Sequence, residues 1–269
     1  MVLELATRLD AATERVREER RAVVAEEDAL DAFSERVEDL VTAGGNRPVA
    51  DGGVRTGMTG AESCLDTAGS GGPDERTAVR EAFVDLVVPV VPDHVEDGSP
   101  ATVLRDELGP EVAGALAGEG PLTPPLRTAI RESVAERRRE LDATAVVLDR
   151  EREQLDGVHE TVTTAVEWLR AADETPLSAL GFDALRERHE RLARHRERCD
   201  ALARERQSFL RGTTGRDGCR VTHEPFFEYL YGETDSPGSA HPVLAVLAEF
   251  AAVCADCQRA VRHHLTSRG

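Results

Sequence analysis

All 33 basic residues of this 269-residue chain are Arg; there is no Lys, and 51 Asp and Glu bring the formal charge to −18. A Walker A loop, a protein kinase and a pyridoxal-phosphate enzyme each need a Lys at their centre, so all three are excluded. There is no GxSxG elbow and no HExxH helix, and a composition rich in Ala, Leu, Glu and Arg with one Ile, Ile130, favours helix.

Residues 2–42 carry the clearest pattern. Counting by sevens gives Val2, Leu9, Val16, Val23, Leu30 and Val37. The companion series is Leu5, Ala12, Glu19, Glu26, Phe33 and Leu40. The first series is a coiled-coil seam. Glu19 and Glu26 interrupt the second, so the middle of the helix is expected to be wetter or to pair with Arg. Gly44 and Gly45 stop the helix, and residues 43–75, rich in Gly, Ser and Thr, read as a flexible linker.

A short helix follows with Val79, Phe83, Leu86 and Val87 on one side, ended by Pro89 and Pro92. Two more short helices are expected across 99–120, broken at Gly109–Pro110. A DNA-reading helix-turn-helix is a poor fit there, because 111–117 carries Glu111 and no Arg, Asn or Gln. A long helix is predicted from Thr123–Pro124 to about Ala172, with Val134, Leu141, Leu148, Leu155, Val162 and Leu169 seven apart. After the turn at 173–181, a third long helix runs from Phe182 to Arg211, with Leu185, Leu192, Cys199, Leu202 and Phe209 on one side. Residues 212–218 are a Gly-rich break, and a last helix covers about His241 to Leu265.

Four of the ten aromatic residues, Phe226, Phe227, Tyr229 and Tyr231, fall within six positions. Phe227 and Leu230 share one helical face and Phe226 and Tyr229 the next. The first pair is expected to be the buried one, plugging a small head against 79–87.

The segments "TAVREAF", "VVPVVPDH", "LRDELGPEVAGAL" and "LTPPLRTAI", followed by a long charged helix and then "FFEYLYGE" and "HPVLAVLA", resemble a haloarchaeal all-helical family catalogued as a domain of unknown function. The resemblance implies a halophilic, cytosolic, all-helical protein. It brings no activity, ligand or catalytic residue.

The expected fold is all-α: an elongated antiparallel coiled-coil or helical bundle with a small helical head. Residues 1–42 form a coiled-coil helix, 43–75 the linker and 76–122 the head region. Residues 123–211 form an antiparallel hairpin, and 212–269 an aromatic plug and C-terminal helix on the head. No catalytic set is recognisable, and the expected role is a non-enzymatic scaffold or interaction module. Its partner is another protein or a second copy held through the coiled-coil helices.

The alternative is a metal- or thiol-responsive regulator. Cys254 and Cys257 form a CxxC, and Cys219 with His223 could complete a zinc site, with His264 as a substitute ligand. Otherwise no cofactor is expected. His195 and Cys199 are spaced four apart on the third long helix, as a ligand pair or a polar packing layer. Residues 185–220 hold eleven Arg against six acids, while 2–42 hold twelve acids and six Arg. The basic stretch is expected to lie against its acidic complement rather than on nucleic acid. The longest apolar run, "FVDLVVPVVP", is far short of a membrane span, and residues 1–30 are charged throughout. With five cysteines read as reduced thiols, the expected location is the cytoplasm.

Overall fold

In the computed structural model, residues 2–45, 75–91, 99–216, 219–232 and 241–267 are described. The expected linker lies outside them from residue 46 to residue 74. The fold is all-α: α1 (Val2–Gly45), α2 (Glu75–Leu86), α3 (Pro100–Ala117), α4 (Pro124–Asp173), α5 (Phe182–Leu210), α6 (His223–Gly232) and α7 (Pro242–Thr266). A 3₁₀ turn (Leu177–Ala179) joins α4 to α5. Ahead of α6, β1 (Thr213–Arg216) and β2 (Cys219–Thr222) pair antiparallel, Thr213 opposite Thr222 and Arg216 opposite Cys219. This hairpin replaces the expected Gly-rich break. Its strands hold Thr213, Thr214, Val221 and Thr222, β-branched residues that suit a pleated pair.

The chain divides into two compact units. Unit 1 comprises Met1–Val23 with Glu140–Gly269, and unit 2 comprises Val24–Arg139. The division cuts α1 and α4 within their length.

In unit 1, α1 and α4 run antiparallel: Asp10 meets His159 at 3.5 Å, and Arg20 meets Asp149 at 3.6 Å. The core here is Leu5, Leu9 and Val16 of α1 with Leu148, Leu155 and Val162 of α4. Of these α1 residues, Leu9 and Val16 belong to the predicted seam and Leu5 to its companion series, and all are buried within the single chain. Helices α5 and α7 pack along their length through Leu185, Leu192, Val246, Phe250 and Val261. Arg8 of α1 donates to Glu249 of α7, with Nη1 at 2.8 Å from Oε1.

In unit 2, Phe33 of α1 and Phe83 of α2 meet edge to face at 5.4 Å, both at 1 % exposure or less. Ser99 caps α3, its hydroxyl accepting from the Thr102 N–H at 3.2 Å, with Pro100 at the first helical position. The expected break falls at Gly109, whose φ of 83° and ψ of 158° only Gly adopts comfortably. The two halves of α3 meet at this kink. Arginines from α2 supply the carbonyl partners that the end of α3 lacks. Arg76 donates to Ala115 O at 3.0 Å, and Arg80 to Leu116 O and to Gly118 O at 3.1 Å.

Candidate functional site

The aromatic cluster surrounds a buried charge. Arg206 of α5 is 1 % exposed and Glu151 of α4 is fully buried. The guanidinium grips the carboxylate through two nitrogens, Nη2 donating to Oε1 at 2.9 Å and Nη1 to Oε2. Nη1 also donates to Gln154 Oε1 at 3.0 Å. From α6, the Tyr231 hydroxyl donates to Glu151 Oε1 at 2.7 Å. The guanidinium carbon stands 4.7 Å from the Phe227 ring centroid and 5.5 Å from that of Phe209, within range for cation–π attraction. Phe227 and Tyr231 stack with their planes 17° apart.

Unit 1 therefore holds a bidentate ion pair closed by a phenol and an amide and walled by aromatic rings. Such geometry is what a buried pair needs to offset desolvation. The Tyr231 hydroxyl is held far from ionisation by burial, then by the Glu151 charge and its hydrogen bond to Glu151. It serves as a donor here.

Sequence reasoning placed the correct pair inside, since Phe227 and Leu230 are buried and Tyr229 is 43 % exposed. The ring neighbours of Phe227 are Phe209, His223, Phe226 and Tyr231.

His223 opens α6 at 2 % exposure. Its Nδ1–H donates to Phe209 O at 2.7 Å, so Nε2 accepts the Thr214 hydroxyl at 2.8 Å. Gly212 passes so close that an added Cβ would lie 3.3 Å from this ring and 3.0 Å from Phe209 O. A zinc ion at Nε2 would have to displace the Thr214 hydroxyl.

The remaining residues of the predicted zinc set stand on two other elements. Cys219 is on β2, and Cys254 and Cys257 are on α7, Cys254 buried and Cys257 half-buried. Cys254 lies near Cys199 of α5, and burial above all pushes these thiols up to about 12 and about 11. Neither is a ready thiolate. His264 stacks edge-on with His263 near the end of α7. His195 lies 5.2 Å from the Trp168 ring, and burial, followed by Arg191 and Arg194, lowers its basicity. Among the described residues, no three His, Cys, Asp or Glu side chains are grouped to hold a metal ion.

The basic stretch on α5 finds its neighbours on α4 and α7. Arg206 reaches Glu151, and Arg196 donates to Gln258 at 2.9 Å. Arg191 lies over Trp168 at 4.8 Å.

Unit 2 holds a second buried charge cluster. Glu26 of α1 is 5 % exposed and Glu107 of α3 is 8 % exposed, and both approach Arg137 of α4. The expectation that Glu26 would pair with Arg holds. Glu107 carried no signal of its own. Unit 2 also has an open groove of about 540 Å³ between α2 and α3, lined by Phe83, Val84, Leu104 and Ala113, with Glu81 and Asp85 among its polar residues.

These features define an all-α protein with two buried charge clusters among the described residues. The chain belongs to a domain-of-unknown-function family, DUF7260, whose model matches residues 7–258. No curated protein and no solved structure matches it. Among the described residues, no helix is long and apolar enough to cross a membrane.

Proposed function

We propose that the protein is a non-enzymatic helical scaffold that binds another protein in the cytoplasm of a salt-accumulating cell. One observation carries this reading. Several buried polar groups of unit 1 close on one another: Arg206 on Glu151 and Gln154, Tyr231 on Glu151, and His223 on Thr214 and Phe209, while Arg206 Nε is buried without a hydrogen-bond partner. A catalytic site aims such groups at a substrate; these face each other. The salt-accumulating setting is supported by the charge of −18 and the absence of Lys, since a dense carboxylate surface keeps a protein soluble.

The partner we expect is a basic amphipathic helix laid in the α2–α3 groove. Val84, Ala101 and Ala117 offer exposed apolar surface, and Glu81 and Asp85, both exposed, offer the opposite charge. The predicted seam residues Leu9, Val16, Val23, Leu30 and Val37 of α1 are buried within the chain, which favours the groove over the seam as the contact.

Cross-linking in cells at native salt, followed by mass spectrometry, tests the reading. The reagent must target carboxylates, because there is no Lys for amine chemistry. The purified partner should then bind the wild type and fail to bind Ala113→Trp, which fills the groove. A turnover activity abolished by Arg206→Met in a folded protein would overturn the proposal.

A further inference from the structure

We infer that Glu107, buried beside Glu26 with one guanidinium between them, keeps its proton in the folded chain, and that losing it as the medium turns alkaline loosens unit 2 while unit 1 stays closed. The geometry leaves one cation for two buried carboxyl groups. Arg137 Nε donates to Glu26 Oε1 at 2.8 Å, and its Nη2 lies 2.7 Å from the same oxygen. Nε is also 2.7 Å from Glu107 Oε2. An Nε carries a single hydrogen, and here it points at Glu26. Glu107 Oε2 is accordingly buried with no hydrogen-bond partner.

With both carboxyl groups ionised, the cluster would hold one uncompensated negative charge out of water. Isolated buried charge is expensive, and where two carboxyl groups share a site one of them tends to stay protonated. The groups acting on Glu107 are Glu26 from α1, which opposes its ionisation, and Arg137 from α4, which favours it. Arg105, Asp106 and Glu111 on α3 itself are exposed.

Burial is the largest influence, and it raises Glu107 from 4.5 to about 8. The sign follows from linkage. Below 4.5 the carboxyl is protonated both folded and unfolded, and its contribution to stability is fully present. Above 4.5 the unfolded chain ionises first, so stability falls as pH rises and is lost through about pH 8. Glu151 in unit 1 has its own guanidinium and a phenol donor, so its cluster has no surplus charge to release.

Hydrogen exchange on the full chain, read by mass spectrometry from about pH 5 to about pH 9, tests the inference. The wild type and Glu107→Gln are compared at each pH, so the intrinsic chemistry of exchange cancels. Gln keeps the shape of the protonated acid and cannot ionise. Peptides from 24–45, 75–91 and 99–139 should lose protection in the wild type relative to the variant, by up to about tenfold per pH unit. Peptides from 140–216 should behave alike in both proteins. Should Glu107→Gln not fold, Glu26→Gln makes the same comparison. Equal pH dependence in wild type and variant would overturn the inference, as would a loss of protection spread equally over unit 1.

Discussion

The two units bury charge by different arithmetic. In unit 1 one carboxylate meets one guanidinium, a phenol and an amide take up further hydrogen-bonding capacity, and Arg206 Nε alone among the buried atoms of that cluster is left without an acceptor. In unit 2 two carboxyl groups meet one guanidinium, and an oxygen is left without a donor. The first arrangement is neutral and walled by rings. The second would carry a surplus charge if both carboxyl groups were ionised, and its Arg137 side chain is still 27 % exposed. The lesson is that buried ion pairs in one chain need not play one part. A balanced pair fixes how helices meet, whereas an unbalanced one makes their meeting depend on protons.

The comparison can be broken most forcefully at Arg206. Arg206→Met strands Glu151 and should lower stability by about 3–5 kcal/mol in denaturant unfolding at high salt. Adding Glu151→Leu and Tyr231→Phe should restore most of that loss, because an apolar cluster of similar volume removes the stranded charge. A triple variant as unstable as the single one would mean that the ion pair itself holds unit 1 together.

Phe227→Ala should cost about 3 kcal/mol, the low end for a buried Phe, because Phe226 and Phe209 stand ready to close on the space. Proteolysis should then quicken in α5 and α6 and leave 99–139 protected; cutting confined to unit 2 would contradict the packing described. The counterpart in unit 2 is Gly109→Ala, which puts a side chain at φ 83° and should cost about 1–3 kcal/mol. A neutral result in thermal unfolding would mean that the kink relaxes. The smallest effect should be Tyr229→Ala on α6, within about 0.5 kcal/mol, since this ring is 43 % exposed. A large loss there would move the aromatic core to the other face of α6.

Helix identity was legible because the chain repeats. The limits of α4, α5 and α7 follow from Pro124, Gly181 and Pro242 and from apolar residues seven apart. The hairpin was readable in hindsight: Asp217–Gly218 is a two-residue turn signal between Thr- and Val-containing strands. The buried charges could also have been found. Counting by sevens from Leu185 through Leu192 and Cys199 arrives at Arg206, and Arg137, Thr144 and Glu151 are likewise seven apart on α4. A charged residue on an apolar register is a buried one in waiting, and of these charges only Glu26 stood out as an interruption of its series. What periodicity does not carry is the partner. Glu151 finds Arg206 across 55 positions, and Glu107 finds Arg137 from a kinked helix with no heptad of its own. The Cys and His spacings offered a zinc alternative on the same footing: local spacing is visible in a sequence, and tertiary placement is not.

The contrast between a balanced and an unbalanced cluster is tested most directly by infrared spectroscopy of the folded protein at neutral pH. A protonated buried carboxyl absorbs apart from carboxylates, so the wild type should show one such band. The band should vanish in Glu107→Gln and persist in the Arg206→Met, Glu151→Leu, Tyr231→Phe variant. No protonated carboxyl at neutral pH, or one that disappears with Glu151, would contradict the account.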